Sequence, residues 1–131
     1  MIMKMISTII ICTILFSFSI VFAEDWTKED TYRELTWTAL LIMDYSQTMN
    51  IARHTDKYQE YNPILGSHPS RSSVNMYMLS AALLHPIISY LLPPKSEKWK
   101  YINRENFQYI TIGVEIGAVA NNIGAGIGVS F

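Results

Sequence analysis

Cysteine is nearly absent from this chain of 131 residues: the one copy, Cys12, falls in an apolar N-terminal stretch. The rest of the chain can therefore build neither a disulfide nor a thiolate metal site. Cys12 follows Ile10 and Ile11 rather than the small residue that a lipoprotein processing site requires, so it offers no lipid anchor. An excess of one charge is lacking too. Ten Lys and Arg stand against eleven Asp and Glu, a net charge of −1, so no nucleic-acid partner is expected. No serine sits in a Gly-x-Ser-x-Gly or Ser-x-x-Lys setting, and Ser96-Glu97-Lys98 is not such a match. Nothing in the sequence names an enzymatic activity.

What is present is apolar. Half of the residues are hydrophobic and the mean hydropathy is +0.15, high for a small soluble domain and low for a purely hydrophobic bundle. Residues 1–23 carry Lys4, the run Ile6 to Phe22 and a terminal Val21-Phe22-Ala23 before Glu24 and Asp25. That order reads as a secretory signal peptide cut after Ala23, with an uncleaved signal anchor as the alternative. Residues 24–131 then form a single helical membrane domain.

Three further apolar segments, about 35–52, 74–92 and 107–124, each hold an ionisable group near the centre: Asp44, His85 and Glu115. If all three cross a bilayer, a rise of about 1.5 Å per residue places these groups within roughly 3 Å of one depth. Charges in hydrocarbon rarely face lipid, so the expected fold is an all-α, three-helix membrane bundle with a polar interior.

The first helix, about 28–54, opens on Thr27 with Asp30 three residues later, the form of a capping box. Trp26, Tyr32 and Trp37 suit a membrane interface. Residues 55–70 contain Asn62-Pro63, Gly66 and His68-Pro69, all turn signals, together with Tyr58, Tyr61, Ile64 and Leu65. Ser70 caps a second helix over about 71–92, which Pro93-Pro94 ends. Asn103 caps a third, about 104–122, stopping at Asn121-Asn122 with Gly124 beyond. The tail to Phe131 alternates small and apolar residues, but the chain has no room for the eight or so strands of an outer-membrane barrel. Orientation is weakly marked, because the basic loop 93–105 would face outward after a cleaved signal.

On the first helix Asp44, Gln47 and Thr48 share a face; on the second His85 shares one with Met78, Ala81, Ala82 and Ser89; on the third Glu115 aligns with Thr111 and Asn122. Three readings stay open for Asp44, His85 and Glu115. They hold the helices in register through hydrogen bonds, they bind a divalent metal ion or relay protons, or they do not meet at all. His54 and His68 read as solvated. Gly113 and Gly117 form a Gly-x-x-x-Gly pair on the side of the third helix away from Glu115, so either that helix is sandwiched between the other two or its glycine face meets a second copy or another membrane partner.

Asp44-x-x-Gln47-Thr48, then Glu60-x-Asn62-Pro63-Ile64-Leu65-Gly66-x-His68-Pro69-Ser70 and Val74-x-x-Tyr77, resemble a family of small uncharacterised bacterial proteins of helical membrane type. The resemblance covers roughly residues 40–122. It implies a bacterial membrane location, most naturally the inner membrane, and no known activity. The expectation is a structural or interaction protein of the bacterial envelope embedded in the lipid bilayer. The alternative is a small binding or transport module using Asp44, His85 and Glu115.

Overall fold

The structure, a computed structural model, describes residues 26–129. The signal segment lies outside the described residues. Within them the chain is all-helical, with α1 at Lys28–Arg53, α2 at Arg71–Leu91 and α3 at Arg104–Gly124. The helices run up, down and up. The starts of α1 and α3 and the finish of α2 lie at one end of the bundle, called the basic end below; the 54–70 loop and the finish of α3 lie at the other.

Each start is set locally. Thr27 accepts a hydrogen bond from the Asp30 backbone while the Asp30 carboxylate accepts from the Thr27 backbone, a reciprocal box. Ser70 accepts from the Ser73 backbone, and Asn103 from the Asn106 backbone. Helix α2 runs through Pro86, whose ring nitrogen has no proton for the carbonyl one turn back.

The end of α3 differs from the expectation. Asn121 and Asn122 do not stop it, because the Asn122 side chain turns inward to Asp44 and Gln47. The helix runs to Gly124 and the chain turns away at Gly126, whose φ of 77° is open to glycine, with Gly126 N–H bonded to Ile123 O and Ile127 N–H to Asn122 O. This is a Schellman motif, and the buried Ile127 closes it.

The interior is unusual for a small helical protein. Eleven polar residues are buried among the described residues against eight apolar ones, and Arg104, Gln47 and Gln108 are among the largest fully buried side chains. Outside, Leu79, Leu83, Leu84 and Ile87 of α2 and Ile110, Val114 and Ile116 of α3 are exposed. A small apolar cluster of Trp37, Leu41, Met49, Val74 and Met78 joins α1 to α2. Helix α1 packs most extensively on α3 and less on α2, while α2 and α3 touch least. That leaves a cleft between α2 and α3 over α1.

Among the described residues one helix, Arg71–Leu91, is long and apolar enough to cross a membrane, with a mean hydropathy of 1.3 over its best window. Only 22% of that window is buried within the bundle.

Candidate functional site

At the basic end the C-terminus of α2 leaves carbonyls with no helical partner, and prolines follow. Arg104 fills the gap. Its Nε donates to Ser89 O at 3.0 Å and its terminal nitrogens to Leu92 O at 3.2 Å and Asp30 Oδ2 at 3.2 Å. The guanidinium also lies 4.8 Å from the Trp26 ring centre. With Arg33 on its second oxygen, Asp30 carries two cationic partners. Burial pushes its carboxyl up, but hydrogen bonds from Thr27, Arg33 and Arg104 outweigh that and hold it below the usual range.

One turn further in, Gln108 is fully buried and joins all three helices. Its amide nitrogen donates to Ser89 Oγ at 2.8 Å and Glu34 Oε2 at 3.1 Å, and its oxygen accepts from Arg33 Nε at 2.7 Å. Glu34 in turn meets His85 Nδ1 at 2.6 Å. As a carboxylate Glu34 only accepts, so Nδ1 carries the proton of that contact. The other ring nitrogen, Nε2, lies 2.8 Å from Thr111 Oγ1. Trp37 stacks on the imidazole at 3.6 Å and 6°, and Phe107 covers its other side at 4.8 Å. Both faces and both nitrogens of His85 are thus engaged.

Toward the loop end a second group forms around Asp44, which accepts from Asn122 Nδ2 at 3.2 Å and from the Thr48 hydroxyl one turn along. Gln47 accepts from the same Asn122 amide and donates to Ile127 O at 3.2 Å, tying the tail of α3 to α1. The 54–70 loop is built from its own residues. Glu60 Oε1 accepts from the Tyr61 and Asn62 backbones, Asn62 Oδ1 from the Ile64 backbone, and Gly66 N–H bonds to Asn62 O with Gly66 at φ 73°. Pro63 sits at the turn's exposed tip, and His68, also exposed, bonds Ser67. The first Glu60 oxygen serves its own loop, and the second is buried without a hydrogen-bond partner among the described residues. Asp44, Glu60 and Asn122 line a cavity of about 370 Å³ under this loop.

Asp44, His85 and Glu115 do not share a depth. Hydrogen bonds donated by Arg104 and Gln108 to Asp30 and Ser89 fix the register, so Asp44 lies about 15 Å further along the bundle than His85, with Glu115 between them. The expectation of one depth assumed that α1 counts from its apolar segment; the polar first turns of α1 are in the bundle as well. His85 pairs with Glu34 and Thr111, Asp44 pairs with Asn122, and Glu115 stands apart. Among the described residues no three His, Cys, Asp or Glu side chains are placed to hold a metal ion.

Glu34, Arg104 and Gln108 were not singled out in the sequence. Two signals were available. Gln108 continues the Thr111, Glu115, Asn122 face one turn back, and Arg104 sets a cation at a helix N-terminus, against the helix dipole, which needs a compensating role.

Glu115, half-buried on α3, has no hydrogen bond or ion pair from any described residue; its electrostatic neighbour is the like-charged Asp44. It faces the cleft between α2 and α3, a cavity of about 260 Å³ that Trp37, Tyr77, His85 and Phe107 also line. Gly113 and Gly117 lie on the far side of α3, exposed, and a Cβ on either would meet nothing. The sequence matches no protein-family model, no curated protein and no solved structure. The motif resemblance therefore rests on its quoted residues alone.

Proposed function

We propose that this protein is a three-helix membrane bundle of the bacterial envelope, most naturally of the inner membrane, whose role is structural: a rigid, internally bonded unit that partners pack against. The observation that carries the reading is the inversion of polarity, with Asp30, Gln47, His85, Arg104, Gln108 and Asn122 inside and leucines and isoleucines outside. In water such a surface would drive aggregation, whereas in lipid it is the favourable surface and the polar groups are the ones that need an interior. The low burial of α2 supports the reading, because the core helix of a soluble protein passes the same length and composition test while being mostly buried. Helices α1 and α3 are less apolar on average because their inward faces carry the polar network, and lipid does not meet those faces.

The exposed Gly113 and Gly117 face of α3 fits close approach by a second copy or another helix. Alkaline carbonate washing of membranes tests the location: the protein stays in the pellet, and quantitative release removes the reading. Cross-linking through Gly113→Cys tests the face, with a covalent dimer or adduct expected in native membranes and none if that face is bare.

A second reading, a small binding or transport module, is favoured by Glu115. Asp44 and His85 each have a polar partner, and this carboxyl has none among the described residues. An ionisable group left so within a membrane is a functional candidate.

A further inference from the structure

We infer that the cleft between α2 and α3 binds a hydrophobic organic cation, with Glu115 as its counter-ion. The inference rests on the second reading above. Three observations combine. The first is charge. Segments 35–52, 72–94 and 106–129 contain no Lys or Arg, while Asp44 and Glu115 lie close enough to interact, so two carboxyls share the middle of the bundle with no basic residue of these segments. The His85 imidazole, which also lines the cleft, is bonded to Glu34.

The second is the wall. Trp37, Tyr77 and Phe107 line the same cavity as Glu115, and aromatic faces attract cations, most strongly where water is excluded. The third is access and size. Helices α2 and α3 touch least of the three pairs, so the cleft opens sideways toward the exposed Leu84 and Val114, the surface assigned above to lipid. Tyr77 and Val114 also line the cavity under the loop, and the two spaces, about 260 and 370 Å³, together fall in the range of small-molecule sites. A bare metal ion fits poorly, because among the described residues no three ligands converge. A delocalised or quaternary cation needs only one carboxylate and an apolar, aromatic surround.

The test is equilibrium dialysis of tetraphenylphosphonium against the full chain purified in dodecylmaltoside. Saturable binding is expected, displaced by other bulky cations and not by the neutral triphenylphosphine oxide. Glu115→Gln keeps the shape and removes the charge, and is expected to weaken binding at least about tenfold, as for loss of one partner of a desolvated ion pair. Glu115→Asp and the loop variant Glu97→Gln are expected to retain it. Should Glu115→Gln fail to fold, Leu84→Trp, which fills the mouth of the cleft, is expected to abolish binding with Glu115 intact. Absence of saturable binding, or equal binding by the Glu115→Gln variant, overturns the inference. The same preparation reports on the membrane reading separately, since a protein that stays monomeric after detergent removal contradicts that reading whatever the cation does.

Discussion

Gln108→Leu is the most informative single change in the polar interior. Replacing every member of a buried polar network by apolar residues can be neutral or stabilising, whereas removing one member leaves its partners unsatisfied. Here the amide bonds Ser89, Glu34 and Arg33 from three directions, and its loss leaves two charged groups and a hydroxyl short of a partner. Ser89 can turn to its own helix backbone, which cuts the loss. Membrane hydrogen bonds average about 0.6 kcal/mol each and reach about 1.7, so two or three broken bonds predict a destabilisation of about 1–3 kcal/mol. Reversible unfolding in mixed micelles by titration with dodecyl sulfate, followed by circular dichroism, measures it. A Leu variant as stable as the parent, or more stable, would refute the view that this network holds the helices in register.

Acid should weaken the basic end. The Asp30 carboxyl is held below its usual range when folded, so its contribution is complete above its unfolded value of about 4 and is lost as pH falls through the folded value; Asp30→Asn should flatten the acid limb of a stability profile. Gly126→Ala forces a side chain into a left-handed backbone at φ 77° and should cost on the order of 1 kcal/mol, with fraying of the last turn of α3 seen by amide exchange; unchanged protection would discount the Schellman stop. N-terminal sequencing of the membrane-bound product should begin at Glu24, and an intact Met1 would point to the signal-anchor alternative.

The three helices and their starts were legible because Thr27, Ser70 and Asn103 act within four residues of themselves. The polar face of α3 was legible in part, through Thr111, Glu115 and Asn122. Register was not, because it is set by contacts such as Arg104 with Asp30 and Gln108 with Glu34, which join residues far apart in sequence. Counting depth from the apolar segments therefore aligned Asp44 with His85, when the charged first turns of α1 belong beside α3. The end of α3 was misplaced for a related reason. Asparagine serves both as a helix stop and as a buried hydrogen-bonding residue, and only the partner, Asp44, decides between them.

The central claim is that the apolar surface of the bundle faces lipid while its interior is polar. Its most direct test is spin-label accessibility on single-cysteine variants of the reconstituted protein, on a Cys12→Ser background. Labels at Leu83→Cys on α2 and Ile116→Cys on α3 should collide freely with oxygen and poorly with a water-soluble nickel complex, while Ser96→Cys in the basic loop should show the reverse. Nickel access at positions 83 and 116 equal to that at position 96 would contradict the account.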